Sequence, residues 1–319
     1  MKRTIRRLII GTLAFIFKRR PGAPTPAGET ALTALRNTFR SFPKFVPQGG
    51  SPAEIEWTGN MNELARLVRE DDPRCFLRWD IVQFTMFPVF APYSLRELKT
   101  LRRSPRWPSR WKEAVRETAT GCPIPYVFYP ASSCNLVHMA YHLHYFESMT
   151  QRDIVQSGLV VEFGAGYGRM CALFQSLGFS GKYICFDLPP FSALQRYYLA
   201  CSGHRVLSEE EFMNAAQGVI CVSDPQQLQR LLDAHASVPG KAFVATWSLS
   251  ETPVPFRNSI QNFVGGFDMF LMAYQHVFKD IDNAAAFASW KAAIPGVDWR
   301  DIPVPFLGGS NYLFGVRKP

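Results

Sequence analysis

The run Leu159–Arg169, LVVEFGAGYGR, constrains the fold of this chain more than any other stretch. Four apolar residues (Leu159, Val160, Val161, Phe163) surround one acid, Glu162, and lead into Gly164, Gly166 and Gly168. A short apolar run that ends in alternating glycines reads as a buried parallel strand turning into a helix. Glycine lets the backbone approach a ligand closely and take dihedrals closed to other residues. The helix that follows offers free N–H groups and a positive dipole end. The turn therefore predicts a site for a nucleotide-like ligand. A dinucleotide fingerprint requires Gly-x-Gly-x-x-Gly, and its third glycine position is Arg169 here. A phosphate-cradling loop would require Gly-Lys-Ser/Thr, which is absent.

Order downstream supports the same reading. From Gly158 onward, strand and helix patterns alternate: strands at Leu159–Gly164, Lys182–Leu188, Gly218–Ser223, Lys241–Trp247 and Asp268–Tyr274, with helices between most of them. Such alternation implies a parallel sheet with helices on both faces. Asp187 ends the second strand, where an acid can bind two ribose hydroxyls or cap the helix after Pro189-Pro190. Asp224 ends the third, placed to meet an adenine amino group or to cap its own helix. The chain closes with Asp301–Phe306, the turn Gly308-Gly309, and Tyr312–Val316.

The N-terminal half is of a different kind. Residues 1–20 hold seven basic and no acidic residues around the apolar run Leu8–Phe17. That run is too short to span a bilayer, which takes about 20 apolar residues, and it lacks a signal-peptide cleavage site. Two readings stay open: a basic amphipathic segment at an anionic membrane surface, or a loosely docked extension. Residues 21–50 are rich in Pro, Gly, Thr and Ser and read as a linker with a short helix over Glu29–Arg40. Residues 51–150 read as a helical cap or substrate region, and 151–319 as the ligand-binding domain. Within the cap, residues 126–150 predict a helix capped at Ser132 or Ser133 and carrying His138, His142 and His144. His138 and His142 are four apart on one face, but no Glu stands between them as a zinc-protease helix requires. No metal-ligand pattern is recognisable.

The net charge of +9 comes mainly from the first 20 residues, so it is no argument for a nucleic-acid-binding domain. A second basic stretch, 96–117, carries eight basic and three acidic residues interleaved with Trp107 and Trp111. It reads as a solvated basic helix pair, since no nucleic-acid motif accompanies it. The seven cysteines are scattered without a C-x-x-C pair. That usage fits a reducing compartment with cysteines as small buried apolar residues, hence a cytoplasmic protein, at the inner membrane face if residues 1–20 bind there.

The acid-x-Gly-x-Gly-x-Gly pattern looks like motif I of the class I S-adenosylmethionine (SAM) methyltransferases. Together with DLPP before QRYYL, WSLSE after the fourth strand and AYQH after the fifth, the stretch from about 130 to 319 resembles the bacterial sugar O-methyltransferases. The resemblance implies a Rossmann-like class I fold: a seven-stranded, mostly parallel sheet with an antiparallel C-terminal hairpin, here preceded by a helical N-terminal region. It implies SAM as cofactor, bound by Glu162, Phe163, Gly164, Ala165, Gly166 and Gly168, with Asp187, Leu188, Asp224 and Trp247. It implies a sugar or glycoconjugate hydroxyl as acceptor; a phenolic or amine metabolite and a non-catalytic module are the alternatives.

A sugar hydroxyl is a poor nucleophile at neutral pH, so a base is expected. Ligands of such sheets bind beyond the carboxyl ends of the strands. Candidates there are His276 after the fifth strand, Glu251 after the fourth, and His138 from the overlying helix. Histidine has the best-matched ordinary pKa. Trp247 and Tyr274 can stack on a sugar or adenine ring, or pack in the core.

Overall fold

The computed structural model describes residues 25–89 and 91–318, together with Thr12. The basic segment 1–20 thus lies outside the described residues, that one position apart. Strands β1 (Leu159–Phe163), β2 (Lys182–Phe186), β3 (Gly218–Val222), β4 (Lys241–Thr246) and β5 (Met269–Gln275) are parallel. A two-stranded hairpin, β6 (Val277–Phe278) and β7 (Ile281–Asp282), follows apart from the main sheet. The chain then adds β8 (Val297–Pro303) and β9 (Ser310–Arg317), with β9 antiparallel to both β5 and β8. The sheet order is β3-β2-β1-β4-β5-β9-β8. This is the seven-stranded class I methyltransferase sheet, and its order reverses direction between β1 and β4.

Both faces of the sheet are covered, which is why the strands read as unbroken apolar runs. Val160, Tyr183, Cys185, Val219 and Val244 point into one core, while Leu159, Val161, Ile184, Ile220 and Phe243 point into the other. Period-2 alternation thus sorts each strand between two helical layers. The strand at the closing edge, β8, begins earlier than expected. Its exposed charged residues Asp298 and Arg300 alternate with Val297 and Trp299, the mark of a strand with a solvated face.

The N-terminal region supplies α1 (Pro26–Ser41), α2 (Pro52–Glu70), α3 (Asp80–Thr85), α4 (Pro92–Arg103) and α5 (Cys134–Thr150). Local chemistry sets their starts. Thr25, Ser51 and Ser133 accept N-cap hydrogen bonds from Gly28, Glu54 and Leu136, and Pro opens α1 and α2 where no N–H is needed. Helix α5 starts from Ser133, one of the two caps expected, and residues 126–132 before it are irregular. Among later helices, α6 (Arg169–Ser176) and α7 (Pro189–Cys201) match expectation in place, as do α8 (Glu209–Asn214) and α9 (Pro225–Ala234). Helix α10 (Val254–Val264) falls in a stretch to which the sequence reading assigned no element, and α11 (Asn283–Ala293) precedes β8.

Two expectations need correction. The segment expected as a linker holds α1, which docks on α7 through the buried Leu35 and Phe39. Its C-terminal carbonyls are held by Arg69, which donates to Phe39 O at 2.7 Å and Phe42 O at 2.8 Å. The cysteines are also not all free thiols. Cys75 and Cys122 form a disulfide between positions 47 residues apart. Cys134, Cys171, Cys185 and Cys221 are the expected buried thiols, and Cys201 is half-buried.

The division at residue 150 is not a boundary between cores. Phe76, Phe87, Trp111 and Phe146 belong to the same packed cluster as Val160, Tyr167 and Tyr183. Among the described residues, no helix is long and apolar enough to cross a membrane. Phe39→Ala should lower unfolding stability by about 3–5 kcal/mol, the cost of emptying a packed aromatic site. Chemical denaturation measures this, and an unchanged midpoint would mean that α1 is not docked.

Candidate active site

A cavity of about 730 Å³ opens at the carboxyl ends of β1, β2 and β4, at the reversal of strand order. Open α/β sheets place their ligands in this position. The glycine turn forms its floor. Gly164, Gly166 and Gly168 have φ of +69°, +59° and +91°, a region that side-chain-bearing residues rarely occupy. A Cβ on Gly164 would lie 2.1 Å from Ser248 Cβ, so this glycine also permits the β4 turn to close on β1. Ser248 uses that proximity to donate its hydroxyl to Phe163 O.

Asp187 holds the turn in place. Its carboxylate accepts from Gly166 N–H at 2.8 Å, Leu188 N–H at 2.8 Å and Gln195 Nε2 at 3.1 Å. Burial pushes its pKa up to about 7 despite those donors. Glu162 is buried at the strand end and accepts from Tyr183 Oη at 2.8 Å. Burial pushes it up to about 8, with the Tyr183 hydrogen bond acting the other way and Asp187 adding to the rise. Two carboxyls with a raised proton affinity beside one glycine turn suit a cationic ligand, which would favour their ionised forms.

Phe163, Ala165, Leu188 and Trp247 line the same cavity. Gly168 does not; it is the N-cap of α6, packed toward Leu199. Asp224 does not either. Its carboxylate caps α9 by accepting from Gln226 N–H at 3.0 Å, so the capping role is the one observed. Arg169, which displaces the dinucleotide glycine, is buried, donates to Tyr198 Oη at 2.7 Å and lies 3.7 Å from Glu117. Glu117 in turn accepts from the hydroxyl of Ser133, the cap of α5. The arginine thus ties the glycine turn to the N-terminal helices.

Of the three base candidates, the structure brings two to the cavity. His138 lines it, with Nδ1 2.8 Å from Glu97 Oε1. Glu97 is fully buried in α4. Nδ1 donating to this carboxyl is the tautomer that leaves Nε2 as the ring's acceptor nitrogen. The ring also lies parallel to Trp247, at 11° and 6.5 Å between centroids. Glu251 lines another wall and accepts from Gln275 Nε2 at 3.3 Å; burial raises its pKa to about 7. His276 is exposed, is not among the lining residues, and pairs through Nε2 with Asn311 Oδ1 at 2.9 Å. Strand β5 ends one residue too late for it: Gln275 takes the inward position.

His142 packs behind His138, 4.1 Å between centroids, with Nδ1 2.6 Å from Tyr312 Oη. Burial keeps it neutral. His144 turns away to Trp111. Tyr274 is core: it donates to Asp301 and packs on Phe287. Trp247 has φ +72°, a strained conformation for so bulky a residue, costing about 1–3 kcal/mol. Hydrogen bonds from Trp247 N to Ala273 O and from Ser250 N to Trp247 O hold it there. Sequence reasoning missed Glu97, Tyr93, Met86 and Trp57, all at or behind the cavity wall. Glu97 had a signal: it is the only acid of α4 and lies on the face of Leu98 and Leu101.

No protein-family model and no curated protein matches the chain. Among solved structures, the chain is similar to magnesium protoporphyrin IX methyltransferase of Synechocystis PCC 6803 with bound SAM. The two are 13% identical with a TM-score of 0.35, over 57% of this chain and 80% of that one. The glycopeptide N-methyltransferase MtfA complexed with SAM is 12% identical with a TM-score of 0.36, over 56% and 87%. The SAH-bound Podospora anserina methyltransferase PaMTH1 is 9% identical with a TM-score of 0.35, over 73% and 91%. The strand order, rather than these likenesses, fixes the fold.

The raised carboxyls give a pH signature. The folded ligand-free protein keeps Glu162 and Asp187 protonated up to about 8 and about 7. The unfolded chain releases the same protons near pH 4 (about 4.3 and 3.9). The folded state binds more protons, so their contribution to stability falls as pH rises from about 4 to 8 and is level beyond. Thermal unfolding in steps across that range should show a shallower decline for Glu162→Gln than for the wild type. Identical slopes would mean that Glu162 is not desolvated.

Proposed function

We propose that the protein is a SAM-dependent O-methyltransferase, acting on a hydroxyl of a sugar or glycoconjugate. The observation that carries the reading is the joint placement of the glycine turn with Glu162 and Asp187 on one wall and a carboxylate-oriented histidine, His138, on another. The donor set fits the cofactor. Asp187 would receive the ribose hydroxyls and Glu162 the ammonium, directly or through water, while Phe163 and Leu188 would flank the adenine. When bound, SAM supplies an electrophilic methyl group on a sulfonium.

The protein's own part is positioning and proton removal. Glu97 holds the His138 Nδ1 proton, which leaves Nε2 to accept the acceptor hydroxyl's proton as the oxygen attacks. Glu251 is the second candidate, serving as base or as a hydrogen-bond acceptor that orients the substrate. The ring of Trp247 closes one side of His138. His276 is set aside for this role because it lies away from the cavity lining.

A second reading, a phenolic or amine metabolite as acceptor, is favoured by the apolar and aromatic wall contributed by Trp57, Met61, Phe84, Met86 and Phe87. Sugars also stack on aromatic faces, and the nature of the acceptor separates the two. We further propose a cytoplasmic location at the membrane face, with no nucleic-acid partner; the Cys75–Cys122 bond is the observation that weighs against a reducing compartment.

Incubation with labelled SAM and either nucleotide-sugar and cell-envelope fractions or phenolic acceptors identifies the acceptor class. With that acceptor, His138→Ala should lower kcat about 100-fold or more, the usual worth of a general base, while leaving SAM affinity unchanged. Undiminished turnover would assign the base to Glu251 or dispense with one.

A further inference from the structure

The mouth of the cavity carries an apolar rim. Five of the nine large apolar side chains exposed among the described residues, Val46, Ile55, Val254, Val277 and Phe306, neighbour the cavity lining along the chain and are 39–68% exposed. Each lies within two positions of a cavity-lining residue: Gln48, Glu54, Pro253, Gln275 and Leu307 respectively. Monomeric proteins scatter exposed apolar residues singly, whereas a set gathered at one opening marks a contact surface. Hydrogen bonds and ion pairs hold parts of this set together. Glu54 accepts from Gly49 N–H, which fixes the 46–50 loop against the start of α2 beside Ile55. Lys279 pairs with Glu56, which brings the β6–β7 hairpin and Val277 to the same helix.

Basic charge flanks the rim. Helix α4 contributes Tyr93 to the cavity wall and turns Arg96, Lys99 and Arg103 to solvent. These three positions fall on one helical stripe, opposite the buried Ser94, Leu98 and Leu101. The only acid of the helix, Glu97, is buried against His138. Arg96 lies over the Phe306 ring, 5.0 Å from its centroid, so the basic stripe and the apolar rim are contiguous. An apolar ring edged by cations that have no ion pair among the described residues is complementary to one kind of surface, an anionic lipid bilayer, in which the apolar side chains enter the acyl boundary and the cations meet phosphates. A nucleic acid would use the cations but leave the five apolar side chains in water.

We propose that the cavity mouth docks on an anionic membrane, so that the acceptor enters the site from the lipid surface as a membrane-borne molecule. Docking is a property of the rim and of α4 and does not need residues 1–20. The membrane-borne acceptor rests on the methyltransferase reading; the docking does not.

The test is cosedimentation of the full chain with phosphatidylglycerol or phosphatidylcholine vesicles. Binding should favour the anionic vesicles by about tenfold or more and weaken with added salt, as expected for a docking face that carries several lysines and arginines. Two triple variants, Arg96→Glu/Lys99→Glu/Arg103→Glu and Ile55→Ser/Val254→Ser/Phe306→Ser, should each lose about tenfold or more of that binding. Both should keep wild-type SAM affinity by calorimetry, which shows that they are folded. A third full-length variant, with the seven basic residues of positions 1–20 changed to Gln, should keep binding that the other two lose. The proposal is overturned if either triple variant binds as the wild type does. It is equally overturned if only the 1–20 variant loses binding, if the apolar triple variant instead abolishes self-association seen by ultracentrifugation, or if RNA competes for the α4 stripe while vesicles do not bind. Loss of SAM binding by the wild type alone would reject the methyltransferase reading and leave the docking result standing.

Discussion

The three hydrogen bonds that converge on Asp187 are the constraint on which the site depends. A carboxylate at the end of β2 reaches across to the turn after β1 and takes the N–H of Gly166, while Gln195 of α7 braces both. The turn can present that N–H only because its glycines tolerate positive φ, and it can sit under β4 only because Gly164 leaves space for Ser248. Three neighbouring strands, β2, β1 and β4, are thereby locked at their carboxyl ends. The cavity is the space those locked ends enclose.

The upper half of the cavity comes from elsewhere in the chain. Arg169, directly after the last glycine, is buried near Glu117, and Glu117 receives the hydroxyl of the α5 cap. Breaking a buried pair of this kind costs about 3–5 kcal/mol, because one charge is left without its partner. The helices before residue 150 are therefore bound to the sheet by a charge contact as well as by a shared apolar core. His138 is placed over the glycine turn through that connection, and Glu97 orients it from a helix further up the chain. The cavity histidine, its orienting acid and the glycine turn thus come from three distant stretches.

This dispersal explains what the sequence could and could not disclose. The sheet was legible because buried parallel strands print as apolar runs and the glycine turn is local: Gly164, Gly166, Glu162 and Asp187 all stand where spacing put them. Asp224 looked equivalent to Asp187 because an aspartate at a strand end can either cap the next helix or face the cavity, and only the direction of the carboxylate separates the two. His276 looked inward because it closely follows the fifth strand, but Gln275 takes the position at the cavity and His276 turns to Asn311. Glu97 stood out only as an acid on an apolar helix face, a pattern that signals burial without naming the partner. The docking of α1 was masked by the prolines and glycines around it, although its Leu35 and Phe39 are four apart on one helical stripe. The Cys75–Cys122 bond joins residues whose separation carries no local pattern.

The central claim is that the glycine turn with Glu162 and Asp187 forms a site for SAM. Isothermal titration of the wild-type protein with S-adenosylhomocysteine and SAM, repeated near pH 7 in buffers of different ionisation enthalpy, tests it most directly. Saturable binding at one site per chain is expected, tighter for the wild type than for a Gly166→Leu variant, with protons released as the cationic SAM draws the raised carboxyls into their ionised form. Absence of binding heat for both ligands, or binding of equal strength by the Gly166→Leu variant, would contradict it.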